Sequence, residues 1–135
     1  MFNYNFLENE PAKCPEGFQL STTDNQVCLQ GFFKNIEKTD FKSAQDACSA
    51  LGAYLVRVKS KAKQEELSII TTKNRKSIWL GALRDDESGD FEWEDGEKFD
   101  FTSWEPEEPD NLGGVEHCVV LNPDQDLGWH DRGCK

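Results

Sequence analysis

An α+β fold is predicted by three features of this sequence: two segments with a helical period at 39–52 and 60–70, short strand patterns on either side of them, and a turn-rich stretch at 94–117 that separates the closing strands. The chain has 135 residues and 36% hydrophobic content, which sets the scale at one domain around one core.

Residues 1–13 are polar, run through Glu10-Pro11 and read as a tail, so the fold is expected to begin near Cys14. Cys14-Pro15-Glu16-Gly17-Phe18 is a turn entering a short strand, and 27–33 reads as its antiparallel partner; a Cys14–Cys28 bridge would staple that hairpin. From Thr39 onward Phe41, Ala44, Ala47, Cys48 and Leu51 share one helical face, with Thr39 or Asp40 as cap and Gly52 as terminator. Tyr54-Leu55-Val56-Arg57-Val58 reads as a strand. Ser60 then caps a second helix through Ile70, with Ala62, Leu67 and Ile70 as its apolar stripe and Lys and Glu on the solvated side. Beyond Ser77 the helical period stops, and 78–83 and 91–96 read as strands parted by a turn. Closing strands are expected at about 118–121 and 128–131. A loop as long as 94–117 is usually functional or disordered in a compact domain.

Composition narrows the function. A net charge of -11 disfavours nucleic acid and anionic lipid as partners, because both would be repelled. No apolar run approaches the roughly 20 residues that span a bilayer, so no membrane insertion is expected. The first eight residues lack the basic and apolar regions of a signal peptide. Five cysteines without a Cys-x-x-Cys pair disfavour a zinc knuckle or a thioredoxin-type motif. Disulfides, and with them a secreted or extracellular setting, are the better reading, and five reduced cytosolic thiols the competing one.

The last quarter carries the chemistry. Glu108-Pro109-Asp110, Glu116 and Trp129-His130-Asp131 gather around Cys118 and Cys134. Ca²⁺ takes several oxygen ligands at once, so carboxylates drawn from separate loops onto one spot suit it, and sugar hydroxyls can complete its shell. The four tryptophans, Trp79, Trp93, Trp104 and Trp129, read as core before they read as a carbohydrate platform. Asp85, Asp86, Glu87 and Asp90 read as a solvated acidic turn, and His117 is expected to point away from Glu116.

Taken in order from Cys14 to Cys134, these landmarks resemble the C-type lectin domain. The Cys14/Cys28 hairpin is similar to the long form of that family, Cys48 to its first-helix cysteine and Trp79-Leu80-Gly81-Ala82 to its Trp-Ile-Gly-Leu strand. Glu108-Pro109-Asp110 is similar to its Glu-Pro-Asn or Gln-Pro-Asp sugar motif, Trp129-His130-Asp131 to its Trp-Asn-Asp, and Cys118 and Cys134 to its inner disulfide. The resemblance implies a long calcium- and sugar-binding loop, a cis bond before Pro109, and Ca²⁺ held by Glu108, Asp110, Glu116, His130 and Asp131. The first four of these would also contact the sugar, and the partners would be glycans or glycoproteins.

Several positions depart from the family pattern. His130 stands where an Asn is expected, and imidazole suits Zn²⁺ or Cu²⁺ better than Ca²⁺. Glu108 with Asp110 is a hybrid of the mannose and galactose pairs; ionised, both only accept hydrogen bonds, which leaves sugar orientation less fixed, and Asn111-Leu112-Gly113-Gly114 lacks the stacking aromatic of the family's galactose binders, so mannose-type or mixed hexose binding is expected. Arg84 and Ser88 occupy the acidic positions of a second calcium site, which therefore looks lost. The family's last strand and final cysteine lie beyond the position of Cys134, so residues 14–135 are expected to form an incomplete domain in which Cys48 lacks its partner. The leading reading is a calcium-dependent carbohydrate-binding lectin. Its alternative is a calcium-independent lectin-like domain that binds a protein or a mineral surface. No nucleophile motif is present and adjacent strand residues such as His130 and Asp131 cannot face each other, so no enzyme is expected.

Overall fold

The computed structural model describes residues 13–24, 27–29, 39–123 and 128–135. The N-terminal turn closes where the Phe18 amide donates to the Pro15 carbonyl at 3.0 Å. It leads into β1 (Gln19–Leu20), which pairs antiparallel with β2 (Cys28–Leu29). Cys14 is disulfide-bonded, whereas the Cys28 side chain and the expected extension of its strand to residue 33 lie outside the described residues.

Asp40 starts helix α1 (Phe41–Ser49), its carboxylate accepting from the Ser43 amide at 2.7 Å. The predicted apolar face is only partly used. Phe41 and Cys48 are buried and Ala44 half-buried, but Ala47 and Leu51 face solvent, because the helix meets the rest of the fold along one narrow edge and ends before Leu51. Phe41 packs edge-on against Trp79 at 5.9 Å, and its amide donates to the Cys134 carbonyl.

Residues 54–58 do not form the predicted strand. Leu55 makes a single bridge, while Leu55, Val56 and Val58 are buried. The segment is held instead by the Gly81 amide, which donates to the Val56 carbonyl at 2.9 Å. The approach is so close that a Cβ on Gly81 would lie 2.7 Å from the Leu55 carbonyl oxygen, which accounts for the glycine in Trp79-Leu80-Gly81-Ala82.

Helix α2 (Lys61–Asn74) is capped by Ser60 and runs one turn past Ile70. Its buried face also departs from expectation. Ala62 is exposed, and Lys63, Gln64, Glu66, Ser68 and Thr71 are buried beside Leu67. These polar groups are tolerated inside because they are paired: Lys63 meets Glu66 at 2.6 Å, Glu66 accepts from Ser21, Thr22 and Thr23, and Gln64 accepts from the Trp129 indole at 2.7 Å.

The main sheet is antiparallel in the order β4 (Phe91–Trp93), β3 (Ile78–Arg84), β5 (Cys118–Leu121), β6 (Trp129–Arg132). One core lies between this sheet and α2, centred on Val56, Leu67, Leu80, Val119, Leu121 and Trp129; a second, with Phe41, Cys48, Trp79 and Cys118, lies under α1. Trp79, Trp93 and Trp129 are core residues, and Trp104 is half-buried against Trp129 at 5.6 Å. Cys118 and Cys134 form a disulfide, while Cys48 is a buried free thiol that burial pushes up to about 11. No helix among the described residues is long and apolar enough to cross a membrane.

Candidate functional site

The long loop is anchored before it reaches its acids. Residues 103–105 run beside the start of β6, with the Trp129 amide donating to the Ser103 carbonyl at 2.8 Å and the Glu105 amide to the Trp129 carbonyl at 2.9 Å. Gly128 permits this approach, since a Cβ there would lie 2.6 Å from Glu105. The chain then turns sharply through Glu107 and Asn111, both in the left-handed region at φ 68° and 46°, with a cis Glu108–Pro109 bond between them.

This turn folds over Asp131, which is 1% exposed on β6. The Asp110 amide donates to Asp131 Oδ1 at 3.1 Å and the Asn111 amide to Oδ2 at 2.7 Å. Carboxylate oxygens of Glu108, Asp110 and Asp131 thereby lie within 4.8 Å of one another. Glu116 borders the group, because its Oε2 and Asp110 Oδ1 both accept from the Leu112 amide, at 3.0 and 3.1 Å. Asn111 Oδ1 accepts from the Glu116 amide at 3.0 Å and fixes that edge of the turn.

The electrostatics are uneven. Burial pushes Glu108 up to about 7, reinforced by a proton shared with Asp131 and by the charges of Asp110 and Asp131. Glu116 is raised by burial and by its acidic neighbours, against the opposing Leu112 amide. Burial also works against an ionised Asp131, but the hydrogen bond from Glu108, the Asn111 and Asp110 amides and the Arg84 guanidinium prevail and hold it below the usual carboxylate range. Glu108 Oε2 is buried and has no hydrogen-bond partner among the described residues.

Of the five predicted ligands, three converge and Glu116 adjoins them. His130 stands apart: it is outside the carboxylate group, and its Nε2 is buried without a partner among the described residues. It precedes Asp131 on β6, where side chains of neighbours face opposite ways. The acidic turn after β3 folds on itself, with Asp85 Oδ1 accepting from the Glu87 and Ser88 amides, and His117 lies 3.3 Å from Asp86. Among the described residues it forms no second metal-binding group.

Sequence reading missed what Arg84 does at the end of β3. Its Nη2 donates to Asp131 Oδ2 at 2.6 Å, its Nη1 to the Gly89 carbonyl at 2.9 Å and its Nε to the Glu116 carbonyl at 3.1 Å. The only signal in the sequence is a basic residue in an acidic region. A cleft of about 290 Å³ opens beside it, lined by Phe91, Phe99, Trp104 and Pro109.

The Lectin C-type domain family matches residues 37–135. The chain belongs to the C-type lectin family. Perlucin of Haliotis laevigata is 32% identical over 127 residues, which cover 90% of this chain and 77% of perlucin. The human scavenger receptor C-type lectin carbohydrate-recognition domain superposes with a TM-score of 0.77 at 25% identity, covering 90% of this chain and 91% of that one. A calcium-independent type II antifreeze protein shares the fold with a TM-score of 0.75 at 23% identity, covering 90% and 86% of the two chains. The C-type lectin fold of this chain is thus the α+β arrangement predicted above, and its C-type lectin homologues are carbohydrate-binding proteins rather than enzymes.

Proposed function

We propose that the protein is a secreted, calcium-dependent lectin whose carbohydrate-binding unit is residues 14–135, with 1–13 as a tail. The observation that carries this reading is the convergence of Glu108, Asp110 and Asp131 on one spot, with a buried Glu108 oxygen left unpartnered. The donor set is hard oxygen, as Ca²⁺ requires, and a cation there would offset the burial and the neighbouring negative charge that raise Glu108 and Glu116. Glu108, Asp110 and Asp131 hold the ion, Glu116 supports it from the edge, and His130 stays a bordering residue unless it swings toward the site. Hexose hydroxyls of a glycan or glycoprotein bind the remaining coordination positions and donate to Glu108 and Asp110, which accept only. With both acids accepting, sugar orientation is weakly fixed, and the absence of an aromatic in Asn111-Leu112-Gly113-Gly114 favours mannose-type or mixed hexose recognition.

Calorimetric calcium titration, followed by glycan-array binding with and without chelator, tests the reading. Binding heat at micromolar to millimolar calcium and chelator-sensitive glycan capture are expected. Absence of any calcium heat at millimolar concentration overturns it. One observation favours a second reading, calcium-independent recognition of a protein or mineral surface: Asp131 already accepts from two amides and a guanidinium. Ligand capture that survives chelation distinguishes it.

A further inference from the structure

Among the described residues three N–H groups donate to Asp131, and Glu108 hydrogen-bonds to it as well. Its Oδ2 accepts both the Asn111 amide at 2.7 Å and Arg84 Nη2 at 2.6 Å, while Oδ1 accepts one N–H, the Asp110 amide at 3.1 Å. Oδ1 is therefore the oxygen with fewer N–H donors and the one left to a ligand. Arg84 helps to decide which oxygen that is, because its Nη2 takes Oδ2 together with the Asn111 amide.

The guanidinium is itself held rigidly. It is 12% exposed at the side chain, stacks over the Phe91 ring at 4.3 Å and donates to the Gly89 and Glu116 carbonyls. A single cation thus ties the turn after β3, the segment leading into β5 and the buried acid of β6. Through Asp131 it also holds the amides of Asp110 and Asn111. A lysine carries the same charge but lacks the planar fork, so it cannot make these contacts together.

We propose that Arg84 is the positioning residue of this site, locking Asp131 so that Oδ1 alone faces the ion and keeping the 108–111 turn in ligand-ready shape before any cation binds. The first half rests on the calcium reading above; the second does not. An opposing expectation follows from charge alone. A cation so near the site repels Ca²⁺, and if that were its main effect, removing it would tighten calcium binding.

The test compares the whole protein with Arg84→Lys and Arg84→Met by hydrogen exchange in chelator and by calcium calorimetry. In the wild type the Asp110 and Asn111 amides are protected without calcium. Both variants lose that protection while the β5–β6 amides keep theirs, and both bind calcium about 10–100-fold more weakly, as is typical when a partner that orients a ligand is removed. Tighter calcium binding by Arg84→Met, or full affinity in Arg84→Lys, overturns the positioning role. Unprotected Asp110 and Asn111 amides in the calcium-free wild type overturn the ready-made turn, and that measurement stands even if neither variant folds. A wild type that binds no calcium defeats the proposed function, while exchange in the wild type and the two variants still decides whether Arg84 holds the turn.

Discussion

Glu66 and Glu108 are the same residue type at two shielded places, and their surroundings move them in opposite directions. Burial disfavours the charge of both. At Glu66 that effect is outweighed by Lys63, the Thr22 amide and the Thr23 and Ser21 hydroxyls, which bring the carboxyl down to about 2. At Glu108 the neighbours are acids, and the carboxyl rises to about 7. The difference lies in the supply of donors. A carboxylate ringed by donors belongs to the architecture, whereas one ringed by carboxylates, with an oxygen left unpartnered among the described residues, suits the cation proposed above.

The largest effect that can break this comparison is at Glu66. Glu66→Ala leaves Lys63 buried without its counter-charge and is expected to cost about 3–5 kcal/mol, read as a lower urea midpoint. A midpoint within error of wild type would remove Glu66 from the architecture. Glu108→Gln should do the reverse in chelator, holding or raising the midpoint because it removes one member of a repelling group. The same variant should weaken calcium by about tenfold or more, since a charged ligand is lost. Unaltered calcium affinity would place the ion elsewhere.

A third measurement turns the comparison into pH. Glu66 has a depressed carboxyl, so its contribution is fully present above its unfolded value of 4.5 and is lost only as pH falls through about 2. Glu108 has a raised one: its cost is present above about 7 and is relieved as pH falls from there toward 4.5. Calcium-free protein should therefore gain stability from Glu108 on acidification across that window, with Glu66 constant. Added calcium should stabilise less as the proton competes for Glu108. Thermal midpoints with chelator and with calcium decide it, and a chelator midpoint that falls steadily from pH 7 to 5 would contradict the assignment.

The two regions were not equally legible in the sequence. The site's acids were, because a tripeptide such as Glu108-Pro109-Asp110 and a strand end such as Trp129-His130-Asp131 keep their chemistry in view whatever the fold. The strands at Ile78–Arg84 and Cys118–Leu121 were visible as continuous apolar runs, as expected of strands buried on both faces. The α2 face was not, since a search for apolar periodicity discards Lys63, Gln64 and Glu66, whose burial is matched by partners distant in sequence, Ser21 for Lys63 and Glu66 and the Trp129 indole for Gln64. Arg84 was hidden for the same reason. Two of its three acceptors are backbone carbonyls, which carry no side-chain signature, and its third lies 47 residues away. Residues 54–58 carried a true hydrophobic signal but a false element, because burial there comes from packing against β3 rather than from a ladder.

The smallest effect tests whether the regions are independent. Gln64 sits on the polar face of α2 and accepts from the indole of Trp129, two residues before Asp131, so its hydrogen bond links that face to the strand bearing the site. Gln64→Met keeps the volume close to native and leaves the indole N–H unpaired, which is expected to cost about 1–2 kcal/mol of stability. Because the Asp131 carboxylate is fixed from the other side by Arg84 and the loop amides, calcium affinity should stay within about twofold of wild type, a shift too small to distinguish from additivity between sites without shared partners. A tenfold loss would mean that the donor-rich helix face and the donor-poor loop act as one unit, with the tryptophan as their connection.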